Sequence, residues 1–270
     1  MDNNQRSLYR KSTSSKTKNP SPTDPVAFAR SLGFSPDPIQ CQVLRSHARR
    51  CILNCSRQWG KSTLAALIAL HRAVTSPGTL VLCVSPTLRQ SAELILKVSQ
   101  FAAALGERRR GDGYNRASIR LSNNSRIVGL PGCEHTVRGF SCVSLLLIDE
   151  AARVPAGLYR SVRPMLAVAG PDGGDLWLMS TPNGRQGFFY NAWTSPHPWL
   201  RIEAPATSCP RFSKRFLDEE RHALGDRYFR QEYLCQFLEP DGAIFRLETI
   251  RKYKSPDVTP VLTPAERALL

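Results

Sequence analysis

The sequence predicts an α/β fold with a mainly parallel central sheet flanked by helices. Three observations predict it. First, short segments that are apolar throughout alternate with longer helical patterns, as strands buried on both faces do. Leu80–Val84, Val143–Ile148 and Leu176–Met179 are close to such segments, and Cys51-Ile52-Leu53 opens the series. Second, a turn ending in Gly60-Lys61-Ser62-Thr63 lies between that first strand and a helix that is apolar nearly all round. Third, Asp149-Glu150 closes the most apolar strand, where side chains of an open sheet face the ligand crevice.

The elements follow in order. Residues 1–22 are rich in Ser, Thr, Lys, Asn and Pro and have almost nothing to bury, so a disordered basic arm is expected. A globular domain is expected over 23–245 and a linker remnant over 246–270. Asp24-Pro25 reads as an N-cap with Pro at the first helical position, opening a helix through Ala29. Pro36-Asp37-Pro38 leads into a second helix over Ile39–Ser46. The strand Cys51–Asn54 precedes the turn Ser56–Gly60 and a helix from Lys61 to about Val74, which Ser76-Pro77-Gly78 breaks. A strand at Leu80–Val84 and a helix over Leu88–Leu105 follow. The basic stretch 106–117 reads as a loop, and 118–130 as a strand pair around Ser122-Asn123-Asn124-Ser125. The strand Val143–Ile148, a helix over Ala156–Ala167, a strand over Leu176–Ser180 and a mostly helical stretch 213–234 complete the pattern.

Composition narrows the function classes. The chain has 270 residues, 37 Lys+Arg against 22 Asp+Glu, and a formal net charge of +15. With 41% hydrophobic residues it is not disordered as a whole. Its longest apolar run, Leu64–Leu70, has seven residues, far short of the roughly 20 that cross a bilayer. The N-terminus lacks an apolar signal core, so a cytosolic chain with no membrane partner is expected. The eight cysteines form no CxxC pair and no zinc spacing, which points to reduced structural thiols. The excess positive charge, with clusters at Arg45/Arg49/Arg50, Arg108-Arg109-Arg110 and Arg211/Lys214/Arg215, makes DNA or RNA the leading partner class.

The motifs carry the chemistry. Cys55-Ser56-Arg57-Gln58-Trp59-Gly60-Lys61-Ser62-Thr63 sits where a phosphate-binding loop belongs, between a strand and a buried helix. Helix N-terminal N–H groups would face an anion there. Gly60 would admit the phosphates, Lys61 would reach the β/γ oxygens, and the Ser62 hydroxyl would ligate Mg²⁺. Cys55 stands where the GxxxxGK[ST] pattern has its first Gly, and taken alone GKST at a helix start can be chance. Asp149 could hold Mg²⁺ through water, and Glu150 could orient and deprotonate an attacking water. A plainer reading makes these two carboxylates the acidic start of the next helix. Both motifs in the right order on the right elements point to an ATPase.

A third segment, Ser180-Thr181-Pro182-Asn183-Gly184 running on to Arg185-Gln186-Gly187-Phe188-Phe189-Tyr190 and Trp193, completes a family pattern. Together SRQWGKST, LLLIDEA and STPNGRQGFFYNAW resemble the ATPase domain of the large subunit of tailed-phage terminases. The resemblance spans residues 24–245 and implies a RecA-like (ASCE) P-loop NTPase fold. In that family the first Gly of the loop is often replaced, as by Cys55 here. It implies ATP contacts from Ser56, Arg57, Gln58, Trp59, Gly60, Lys61, Ser62 and Thr63, and reading of the adenine edge by Gln40 in Pro38-Ile39-Gln40. It implies Mg²⁺ at Ser62 and Asp149, catalysis by Glu150 and Lys61, and coupling of hydrolysis to movement by Ser180, Thr181 and Pro182. For the arginine that stabilises charge on the γ-phosphoryl group it offers two candidates. Arg138, in Val137-Arg138-Gly139, would act on a neighbouring subunit; Arg57 would act in cis or as a sensor.

The implied function is an ATP-driven motor that packages double-stranded DNA in the host cytoplasm. It would work as a homo-oligomeric ring, with portal and small terminase subunit as possible partners. The family's C-terminal nuclease domain has no counterpart here, since only 25 residues follow Phe245; a separate nuclease is a further possible partner. Two alternatives stand beside the motor: a helicase-like or remodelling nucleic-acid ATPase, and a truncated prophage relic that binds DNA without turnover.

Overall fold

The computed structural model describes residues 23–107, 117–133, 137 and 139–239. The arm expected over 1–22, the remnant expected over 246–270, most of the basic loop and Arg138 lie outside the described residues. Asp24 caps α1 (Pro25–Ser31), its carboxylate accepting the N–H groups of Val26 and Ala27. Asp37 and Gln40 close a capping box at the start of α2 (Pro38–Leu44). Then come β1 (Arg50–Cys55), α3 (Lys61–Thr75), β2 (Leu80–Ser85) and α4 (Leu88–Ala104). The short β3 (Ser118–Arg120) and β4 (Arg126–Pro131) form the expected strand pair. β5 (Val143–Asp149), α5 (Ala156–Val162), β6 (Asp175–Ser180), α6 (Gly187–Thr194), β7 (Leu200–Ala204) and α7 (Lys214–Glu232) complete the domain.

The seven strands form one sheet in the order β3-β4-β2-β5-β6-β1-β7. Every neighbour pair is parallel except β3–β4. The expected mainly parallel sheet is therefore observed, with an antiparallel strand at one edge.

Strand alternation sorts the core into two layers. Leu53, Cys55, Val81, Cys83, Leu145, Leu147 and Met179 face one side and pack with α1, α3 and α4. Ile52, Leu82, Val84, Leu146, Ile148, Leu176 and Leu178 face the other and pack with Leu158 and Val162 of α5 and Phe188 and Phe189 of α6. Because both faces are covered, the strands read as apolar throughout. Cys51, Cys55, Cys83, Cys209 and Cys235 are buried as free thiols. No helix among the described residues is long and apolar enough to cross a membrane.

Three elements differ from expectation. The helix expected over Ala156–Ala167 stops at Val162 and continues as a 3-10 turn over Arg163–Leu166, because Pro164 has no N–H to give the carbonyl four residues back. The sequence pattern gave no strand at β7, a five-residue edge strand whose Arg201 and Glu203, on the face opposite Leu200, Ile202 and Ala204, break up the apolar run. Pairing with β1 makes it a strand. Helix α6 was legible only as part of a motif. It is too short for a clear period.

The topology has one consequence for function. β6 lies between β1 and β5, so its C-terminal end is flanked by the turn after β1 and by the carboxylates ending β5. In register, Ser180 lies opposite Asn54, and Asp149 opposite Met179.

Candidate active site

The turn after β1 is built to hold one shape. Its first half is tied to the backbone of other elements: Ser56 N–H donates to the Ala204 carbonyl (3.0 Å) and Arg57 N–H to the Glu232 carbonyl (2.8 Å). Trp59 is fully buried beneath it. The Trp59 carbonyl accepts Gln40 Nε2 at 3.1 Å and Arg211 Nη2 at 2.6 Å. Gly60 then turns into α3 with φ +102°, and a Cβ there would come within 3.2 Å of Gln40 Nε2. The conformation and this contact both favour glycine. Gln58, a non-glycine residue at φ 57°, adds strain of the kind found at functional sites. Beyond Gly60 the first-turn N–H groups of the 15-residue α3 have no intrahelical acceptor and form a ready anion site.

Three of the predicted nucleotide contacts are engaged within the protein itself. Both ends of the Gln40 amide have protein partners. Its Oε1 accepts the Asp37 N–H (3.0 Å), its Nε2 holds the Trp59 carbonyl, and it is 1% exposed. It braces the loop. The side chains of Ser56 and Trp59 are likewise sealed, at 0% exposure, so any contact they make with a nucleotide runs through the backbone. Gln58 and Arg57 are exposed, and Thr63 is half-buried in the first turn of α3.

The remaining predicted residues that the structure describes converge. Lys61 Nζ lies 3.3 Å from Glu150 Oε1 and donates to Thr181 Oγ1 at 3.3 Å. Ser62 Oγ donates to Asp149 Oδ2 at 2.8 Å, and Glu150 N–H to Asp149 Oδ1 at 3.0 Å. Glu150 takes the left-handed conformation (φ 51°, ψ 41°) that turns its side chain back toward Lys61. Ser180 Oγ accepts the Ala152 N–H (3.1 Å) and donates to the Thr181 carbonyl (2.7 Å), which ties the end of β6 to the turn after Glu150. Pro182 follows, buried.

Burial opposes the charge on Lys61, while Cys55 and the Glu150 and Asp149 carboxylates favour it, and the net shift is above its ordinary value. Asp149 shifts upward too, first because it is buried and then because Glu150 is adjacent; Lys61 and Ser62 act in the opposite sense.

The upward shift at Asp149 gives a stability prediction. A carboxyl whose folded pKa exceeds its unfolded value destabilises the fold once it ionises, and the penalty is fully present above the folded pKa. Asp149→Asn keeps both hydrogen bonds, its amide donating to Ser62 and its carbonyl accepting from Glu150. At pH 7 the variant melts higher than the native chain, because it lacks the buried charge. The gain fades as pH falls toward the ordinary Asp value of 3.8. Thermal melts across pH check it.

Two further side chains join the site that the sequence did not single out for it. Arg153 Nη1 binds Glu150 Oε2 at 3.0 Å, and its Nη2 binds Glu232 Oε1 at 3.3 Å. Glu232 Oε2 lies 3.5 Å from Arg57 Nη1. The three-residue spacing from Glu150 was the available signal for Arg153. For Glu232, nearly 80 residues away in sequence, there was none.

A turn with the GKST sequence opening a buried helix, a carboxylate pair ending a parallel strand, and a further strand between them define a P-loop NTPase-type fold. The chain belongs to the terminase large subunit family: residues 52–252 match the model described as terminase large subunit, T4likevirus-type, N-terminal. It is 26% identical over 255 residues to the large terminase subunit of Thermus virus P23-45, covering 81% of this chain and 52% of that protein. The large subunit of Thermus phage G20c matches to the same extent. The chain thus spans about half the length of these relatives. Among solved structures, the large terminase ATPase domain of Thermus phage P74-26 superposes with a TM-score of 0.67 at 23% identity, over 78% of this chain and 97% of that one. The HK97 bacteriophage large terminase gives 0.66 at 15% identity, over 81% and 55%. The large terminase of a thermophilic bacteriophage, in complex with ADP, gives 0.61 at 14% identity, over 80% and 53%.

Proposed function

We propose that the chain is the ATP-hydrolysing motor domain of a viral DNA packaging machine. The observation that supports this best is the convergence of Lys61, Ser62, Asp149, Glu150 and Thr181 at the C-terminal ends of three neighbouring strands. Relatives described as large terminases, one with ADP bound, support the same reading.

The reaction converts ATP and water into ADP and phosphate. The first-turn amides of α3 bind the phosphates, and Lys61 leaves Glu150 for the γ-phosphate oxygens. Glu150 accepts a proton as the water oxygen bonds to Pγ. The bond from Pγ to the bridging oxygen breaks, and its electrons leave with ADP. Thr181, already on Lys61, senses whether the γ-phosphoryl group is present, and Ser180 relays this to the turn after β5.

The residues fit Mg²⁺. Among the described residues no cluster of three or more His, Cys, Asp and Glu forms a cage. A hydroxyl and a buried carboxylate 2.8 Å apart suit an ion that takes its remaining ligands from phosphates and water. Ser62 and Asp149 would hold it, and when bound it supplies charge neutralisation at the β- and γ-oxygens. Arg57 and Arg138 are the two candidates for stabilising the transferring group, Arg138 from a neighbouring subunit in a ring.

The +15 charge supports double-stranded DNA as the track. Linear duplex DNA should raise ATP hydrolysis several-fold at low salt, and the stimulation should fade as salt rises. Hydrolysis that ignores duplex DNA at every salt concentration would contradict the motor reading. Portal, small subunit and a separate nuclease are the partners this reading implies, in the host cytoplasm.

A further inference from the structure

Glu150 carries two carboxylate oxygens with different partners. Oε1 faces Lys61, which a nucleotide phosphate would draw away; Oε2 is held by Arg153 Nη1 at 3.0 Å. The other arm of the same guanidinium is fixed on Glu232 Oε1 at 3.3 Å. Glu232 is the last residue of α7, and its side chain is 8% exposed. Its own position is set by the Arg57 N–H on its carbonyl and by the Arg57 guanidinium at 3.5 Å. Arg153 cannot drift, because its N–H also closes the turn on the Glu150 carbonyl at 2.8 Å.

We propose that Arg153 is a positioning residue that keeps Oε1 of Glu150 aimed into the crevice once Lys61 has turned to phosphate, with Glu232 as its anchor. A planar fork bridging two carboxylates suits this task, because a guanidinium fixes orientation where an ammonium supplies only charge. Glu150 also holds an unfavourable left-handed backbone, so without a second tether its side chain is free to leave the reactive orientation once Lys61 lets go. The anchor sits on α7 and shares Arg57 with the phosphate-binding turn. The reach of Glu150 is therefore tied to how α7 seats on that turn.

The proposal rests on the reading of Glu150 as the group that activates water, and the test separates the two. Steady-state hydrolysis, fluorescent-nucleotide affinity and melting temperature are measured for the native chain, Arg153→Ala, Arg153→Lys, Glu232→Gln and the double variant Arg153→Ala/Glu232→Gln. Arg153→Ala lowers kcat by about 10- to 100-fold and leaves KM for ATP within about twofold, the pattern of lost positioning. Arg153→Lys recovers part of kcat, since one ammonium reaches only one carboxylate. Glu232→Gln lowers kcat in the same direction by about tenfold. The double variant is no slower than Arg153→Ala within about twofold, because Glu232 acts through Arg153. A kcat in Arg153→Ala that stays within about twofold of native, or rises, overturns the proposal while leaving the ATPase reading intact. Equal losses in kcat and nucleotide affinity also overturn it. A native chain that binds nucleotide but hydrolyses none overturns both. If Arg153→Ala does not fold, Glu232→Gln and Arg153→Lys carry the same decision.

Discussion

Glu150→Gln lowers ATP hydrolysis by about 100- to 10,000-fold, the range that general-base catalysis contributes, and leaves nucleotide binding intact. Gln has the same shape and still offers an oxygen to Arg153, so the turn after β5 keeps its form. It cannot take a proton from water. It also removes the carboxylate that engages Lys61 at 3.3 Å, which frees the ammonium for phosphate and leaves affinity equal to or tighter than native. Phosphate release and fluorescent-nucleotide titration on one preparation check both halves. Hydrolysis within about tenfold of native would remove Glu150 from the role of base.

Lys61→Ala has the complementary signature, because it affects binding as well as turnover. The Lys61 side chain is 8% exposed, and Cys55, Glu150 and Asp149 around it favour the charged form against burial. Losing one charge-assisted hydrogen bond to phosphate weakens affinity by about 10- to 100-fold. Losing a donor aimed at the charge that develops on the γ-oxygens slows turnover by about a further 100- to 1,000-fold. Thr181 loses its donor as well, so any sensing of the γ-phosphoryl group through β6 goes with it. Affinity that survives Lys61→Ala unchanged would mean that nucleotide binds elsewhere than at the start of α3.

Much of this was legible in the residues because the parallel sheet makes it so. Strands buried on both faces leave continuous apolar runs, and β1, β2, β5 and β6 were found within a residue or two. Asp149 and Glu150 announced themselves as charges at the end of the most apolar run. β7 was not legible, since an edge strand with Arg201 and Glu203 looks like a loop until β1 pairs with it. The end of α5 was missed although Pro164 marked it.

The site divides in the same way. Residues carried by a local motif, such as Lys61, Ser62 and Thr181, lie at the ends of neighbouring strands and contact one another or the Asp149–Glu150 pair. The contacts of Gln40 were not legible: its own capping box and the Trp59 carbonyl use both ends of its amide. Glu232 and Arg211 act through contacts that close only when α7 and the segment before it fold back on the turn after β1, and no spacing along the chain encodes those; for Arg153 only the three-residue spacing to Glu150 was readable.

On this reading the crevice between β1, β6 and β5 hydrolyses ATP. Phosphate release by the native chain with saturating ATP, measured in Mg²⁺ and again after chelation, tests it most directly. Steady turnover in Mg²⁺ that chelation abolishes, and that Lys61→Ala lacks, is the predicted result. No turnover in Mg²⁺ with nucleotide demonstrably bound, or turnover that survives Lys61→Ala, would contradict it.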